Sequence, residues 1–123
     1  MFVLPLPIPG DAVITGTTTL QQCVTQYFVA DADADARCSG CGQCTSATTQ
    51  IRRQTSVPAF PTILVVQLKR FTRDRKLSTV VQYPVADFDL TEHGDSGAMY
   101  NLIALLTHHG DMTLTHSSGH YIA

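Results

Sequence analysis

Apolar and polar positions follow a helical beat in one stretch of this chain and strand-like rhythms in most of the rest. In TTTLQQCVTQYF, Leu20, Val24, Tyr27 and Phe28 recur at helical spacing. Thr18 with Gln21 gives a capping-box pattern at the entrance, so the stretch predicts a helix over about residues 18–29. Before it, FVLPLPI at residues 2–8 is an apolar run broken by prolines, which fits an edge strand because proline cannot donate to a ladder. Pro9 and Gly10 predict a turn. After the helix, ADADADA at residues 30–36 reads as a solvated acidic loop. From Ile51 onward the signals are β. PTILVVQLKRF predicts a well-buried strand over 62–71, TRDRK a polar turn, LSTVVQYP a returning strand ended by Pro84, and VADFDLTEHGDSGA a loop. MYNLIALLTHH is apolar on both faces through Leu106, as a central strand with covered faces would be. Its composition also permits a helix, but Gly110 and the extended run MTLTHSSGHYI that follows favour two strands in a hairpin.

Composition narrows the class. With 44% apolar and 15% charged residues the chain has enough hydrophobic material for a packed core and too little charge for a disordered segment. Its length fits one small domain or a piece of a larger one, and neither an internal repeat nor a linker divides it. A net charge of -2 and a pI near 6.1 lack the basic footprint of a protein that neutralises many phosphates, which argues against nucleic acid as a partner. The two cations of QLKRF, residues 67–71, therefore read as a solvated strand end with Phe71 turned inward. The apolar run Ile63–Val66 falls far short of the roughly 20 residues a membrane helix needs, and no signal-peptide pattern opens the chain. No membrane partner is expected, and the reading is a soluble protein of the cytoplasm and/or nucleus. Cys38, Cys41 and Cys44 crowd together, a spacing that points to metal or redox chemistry in place of a secreted disulfide framework.

Four of the five histidines lie between residues 107 and 123. They show no recognised spacing for a metal site. A histidine is, however, the residue a cysteine nucleophile requires, because its pKa near 6.5 lets it hold the thiol proton and later return it to a leaving amine.

The order of FVLPLPIP, the helix TLQQCVTQYF, CSGC, FPTILVVQLKRF, the lysine Lys76 and then VVQYP, FDL, YNLIALLTHHG and GHYIA resembles the later part of the catalytic domain of the ubiquitin-specific proteases. These are papain-like cysteine peptidases that remove ubiquitin from proteins. The resemblance covers nearly the whole chain, and LKRF followed some fifty residues later by YNLIALLTHHG and GHY is its most specific part. It implies an α+β fold: a papain-like peptidase fragment with an antiparallel palm sheet, part of the fingers and one helix. Residues 1–8 and 36–55 would belong to the fingers, 18–29 to the helix and 62–123 to the palm.

The resemblance also implies roles. His120 would be the general base, and Gly119 would let substrate backbone approach it closely. Phe71, His108 and Tyr121 would line the narrow channel for the substrate's terminal Gly-Gly, although a histidine such as His108 serves equally well as a satisfied core side chain. His109 and His116 would flank a loop over the ubiquitin tail, as exposed residues. Cys38 and Cys41 match one knuckle of the family's zinc ribbon, with Cys44 as a third thiolate. This is an incomplete set for a structural zinc, and no cofactor is required for catalysis. Cys23, within the helix pattern, reads as a core thiol.

The expected function is hydrolysis of the isopeptide bond after ubiquitin's C-terminal glycine, with ubiquitin and ubiquitinated proteins as partners. The nucleophilic cysteine would lie upstream and the orienting Asp or Asn downstream, so the 123 residues are expected to be inactive alone. The alternatives are a non-catalytic module that binds ubiquitin or another partner, and a small zinc-ribbon adaptor. Exposed palm surface and an unpaired edge are expected to make the isolated chain prone to association.

Overall fold

The structure, a computed structural model, describes residues 2–29, 31–33, 51–94, 98–113 and 116–123; residues 31–33, 51–53, 111–113 and 116–118 are described by backbone pairing alone. Strand β1 (Phe2–Leu6) turns Leu4 and Leu6 fully inward, and Ile8 follows them into the core. It pairs in parallel with β5 (Leu64–Leu68), Phe2 opposite Leu64 and Leu6 opposite Leu68. Pro5 sits within β1, where the missing N–H is tolerated because β1 has one ladder partner among the described residues. β5 is shorter than the expected 62–71 and covered on one face only: Leu64, Val66 and Leu68 pack on the core, while Val65 is exposed. The period of two in a strand makes this one-sided burial visible.

Where the sequence predicts only a turn, helix α1 (Gly10–Thr15) forms behind Pro9, with Asp11 in its first turn. A carboxylate there complements the helix dipole. Gly16 ends the helix with φ 80°, and its N–H donates to the Ala12 carbonyl at 2.9 Å. A left-handed closing residue of this kind suits glycine. Strand β2 (Thr17–Thr19) follows and pairs in parallel with β6 (Val80–Gln82). The expected helix is α2 (Leu20–Phe28), which buries Cys23, Val24 and Phe28. Its capping box uses Thr19 and Gln22, one residue later than expected.

The acidic stretch is not wholly a loop, because β3 (Asp31–Asp33) pairs antiparallel with β4 (Ile51–Arg53). The register sets Asp31 opposite Arg53, so an acidic run with poor strand propensity meets a basic one. The polar turn forms as expected: Phe71 bridges Lys76, and the Thr72 N–H donates to the Arg75 carbonyl at 2.9 Å. The following strand does not return along β5, however. Arg70 holds that segment by donating to the carbonyls of Leu77 (3.3 Å) and Thr79 (2.5 Å), and β6 then pairs with β2. The Arg70 cation thus braces the fold.

Part of the expected loop after Pro84 is ordered as well. β7 (Phe88–Asp89) pairs antiparallel with β8 (Met99–Tyr100), and a 3-10 turn at Thr91–His93 lies between them. Phe88, Leu90 and Ala98 are buried there. The apolar run beyond β8 departs from expectation. Residues 101–106 join no ladder among the described residues and are exposed, Ile103 by 83% and Leu106 by 65%. The chain ends in the hairpin β9 (Thr107–Thr113) and β10 (His116–Ile122). Gly110, expected to separate the two strands, lies inside β9 with φ 132°.

Among the described residues there are two α-helices where one was expected, and five two-stranded ladders, two of them parallel, where an antiparallel palm sheet with part of the fingers was expected. The α+β class holds. No helix among the described residues is long and apolar enough to cross a membrane.

Candidate active site

Antiparallel pairing of β9 with β10 sorts the terminal histidines onto two faces. His108 lies opposite Tyr121, Gly110 opposite Gly119, and His109 opposite His120. Since successive side chains in a strand point to opposite faces, His108, Gly119 and Tyr121 share one face and His109 and His120 share the other.

The first face carries an aromatic cluster. The His108 ring meets Phe71 edge-on at 5.2 Å between centroids and Tyr121 at 4.9 Å. Phe71 reaches it because the Phe71–Lys76 bridge closes the polar turn beside β9. Lys76 fixes that approach: its Nζ donates to the carbonyls of His108 (2.7 Å) and Gly110 (3.1 Å). The ring lies over Gly119, where a Cβ would come within 2.7 Å of Cε1 and 2.9 Å of Cδ2. Only a residue without a side chain fits under it. Nδ1 of His108 is buried with no hydrogen-bond partner among the described residues. An orphaned ring nitrogen of that kind is costly unless some further group meets it. Phe71 (44%) and Tyr121 (62%) are exposed, so the cluster opens to solvent and Phe71 is not turned into the core as the sequence predicts.

His120 stands on the other face, exposed, in register with the exposed His109. The structure therefore gathers Phe71, His108, Gly119 and Tyr121 into one cluster and sets His120 one residue away on the same strand, across the ribbon. Sequence reasoning marked Lys76 by resemblance but gave it no role, and it missed the pairing of His109 with His120. The bonds Lys76 makes to the hairpin carbonyls carry no sequence signal, and the histidine pair is separated along the chain by a distance that acquires meaning only once the hairpin register is known.

Cys23 is fully buried, and burial pushes its thiol pKa up against the opposing pull of the Arg70 guanidinium and a hydrogen bond with Thr18. A buried thiol with a raised pKa is a poor nucleophile. Cys38, Cys41 and Cys44 lie outside the described residues, as does most of the expected fingers segment 36–55. A separate cavity of about 320 Å³ opens beside the end of α2, lined in part by Phe28, Val57 and His93. There the His93 ring stacks on Phe28 at 4.4 Å and leaves its Nε2 without a partner among the described residues. Among the described residues, no hairpin residue lines this cavity.

Residues 14–123 match the family model for ubiquitin carboxyl-terminal hydrolase. Ubiquitin carboxyl-terminal hydrolase 2 of Gallus gallus is 38% identical over 130 residues, covering 98% of this chain and 34% of its own length. The Homo sapiens protein of the same name is 36% identical over 115 residues, covering 85% of this chain and 18% of its own length. Among solved structures, a SAGA DUB module of Ubp8, Sgf11, Sus1 and Sgf73 bound to monoubiquitin superposes with a TM-score of 0.73 at 25% identity, over 96% of this chain and 26% of the matched one. The fold is that of a papain-like cysteine peptidase. The chain belongs to the ubiquitin carboxyl-terminal hydrolase family, and it spans about a third or less of the length of these relatives.

Proposed function

We propose that these residues form part of the catalytic domain of a ubiquitin-specific cysteine peptidase that hydrolyses the isopeptide bond after ubiquitin's C-terminal glycine. Residues 62–123 contribute to the palm, and residues 1–8 and 36–55 to the fingers. The observation that carries this reading is the family match over residues 14–123, which takes in the whole hairpin bearing His120.

In this reading His120 is the general base. Its neutral imidazole accepts the proton of a cysteine thiol supplied by a part of the domain these residues do not span. The thiolate attacks the carbonyl carbon, and the imidazolium then protonates the departing lysine amine. Water completes the cycle by hydrolysing the thioester. Exposure of His120 on the ribbon supports the role, because a base must be reachable by both thiol and substrate. Phe71, His108 and Tyr121, over Gly119, bind the slender Gly-Gly tail, for which the exposed rings of Phe71 and Tyr121 offer the accessible surface.

The test is ubiquitin release by the complete protein carrying these residues. The His120→Gln variant should lose about 10²–10⁴-fold in kcat, the range ascribed to positioned acid–base groups, while ubiquitin binding persists. A kcat within tenfold of the unaltered protein would overturn the assignment. Binding of ubiquitin with no turnover in the unaltered protein would favour a non-catalytic module.

A further inference from the structure

We propose that His109 and His120 form a two-imidazole chelate for a divalent transition-metal ion of the zinc class, on the ribbon face opposite the His108 cluster. The two residues are direct cross-strand partners. Directly opposed residues in an antiparallel pair have Cβ atoms about 4.5–5.5 Å apart. Two imidazole nitrogens bound to one tetrahedral ion at Zn–N distances of about 2.0–2.1 Å lie about 3.3 Å from each other. Side chains on opposed positions span that separation by leaning together, with no change of backbone. Both residues are exposed, so a metal ion has access and water completes its shell. Imidazole is a ligand suited to zinc, copper and nickel, and less so to magnesium or calcium.

The backbone that sets this pair is held from outside the hairpin. Lys76 Nζ bonds the carbonyls of His108 and Gly110, the residues on either side of His109. At the open end of the ribbon, Thr107 Oγ1 donates to the Ile122 carbonyl at 3.3 Å. A slip of one residue would carry His109 to the opposite face from His120, and these contacts oppose it. The backbone that carries the pair is thus preorganised, and binding has only the two side chains to order.

A regulatory consequence rests on the function proposed above. An imidazole nitrogen that holds a metal ion cannot accept a thiol proton, so occupancy at His109 and His120 switches off the general base. Zinc then acts as a reversible inhibitor through the general base.

The experiment is a calorimetric titration of the complete protein with zinc chloride at pH 7.5, in parallel with ubiquitin-release assays in zinc and in EDTA. The unaltered protein should bind one zinc equivalent more than either His109→Ala or His120→Ala. His109→Cys, which restores a ligand, should recover that equivalent. Cys38→Ser with Cys41→Ser should leave it in place, which separates it from any zinc held by the cysteines. The ratio of activity in EDTA to activity in zinc should fall at least tenfold in His109→Ala. Equal zinc stoichiometry in the unaltered protein, His109→Ala and His120→Ala would overturn the chelate. If the histidine-dependent equivalent is present and zinc leaves turnover unchanged, the chelate stands and the general-base role of His120 fails.

Discussion

At position 119 the absence of a side chain decides where the His108 ring can lie. The ring rests over the Gly119 backbone, Phe71 and Tyr121 meet it edge-on, and Lys76 holds its carbonyl. A methyl group at 119 would displace the ring, since the imidazole is rigid and its two aromatic neighbours limit where it can go. Overpacking of this kind typically costs about 1–3 kcal/mol. Gly119→Ala should therefore destabilise the protein by that order in urea unfolding. In a His108→Ala background, where the nearest atoms above position 119 are gone, the same change should cost little. The double-mutant cycle isolates the contact. Equal costs in both backgrounds would show that the ring does not rest on Gly119. The same site shows why identity and placement differ in legibility. GHY and THHG mark these residues as candidates, but which of them share a face depends on the register of the ribbon, which no short motif encodes.

At the scale of elements, α2 is the clearest case of local sequence deciding local structure. Three threonines followed by two glutamines offer two registers for the same capping box, and the structure uses Thr19 with Gln22. The Gln22 N–H donates to Thr19 Oγ1 at 3.2 Å, and the Thr19 N–H donates to Gln22 Oε1 at 2.9 Å. Thr18 is committed elsewhere, buried in β2 opposite Val81 with its hydroxyl donating to Gln22 Oε1 at 2.9 Å. Thr19→Ala should cost about 0.5–2 kcal/mol in denaturant unfolding, and Thr19→Asn should recover most of it. A Thr19→Ala variant as stable as the parent would count against this register. The helix, the polar turn at 72–75 and the presence of a terminal hairpin were legible because each depends on neighbours along the chain. The parallel pairings of β1 with β5 and β2 with β6 were not, because their partners lie some sixty residues apart and pairing leaves no periodic signal. The covered faces expected of residues 99–109 failed for a related reason. Apolar composition says that a segment is to be buried, and it does not say against what.

That last point governs the whole molecule. Leu102, Ile103, Leu105 and Leu106 are all exposed, and the Leu102 N–H donates to the Val85 carbonyl at 2.9 Å, which sets the run beside a second exposed apolar residue. Soluble monomers rarely present contiguous apolar patches of such extent, and a segment that joins no ladder among the described residues adds sheet-edge character to the same surface. Buried elsewhere, each of these side chains would contribute about 1.5–3 kcal/mol, so covering several together is a strong drive toward association. The 123-residue chain produced by itself should accordingly self-associate at micromolar concentration, as read by light scattering behind size-exclusion chromatography. Ile103→Lys with Leu106→Lys should shift it toward monomer, because both side chains point into solvent and the substitutions leave the core intact. A sharp, concentration-independent melt of a monomer by the unaltered chain would mean that this apolar run does not drive association.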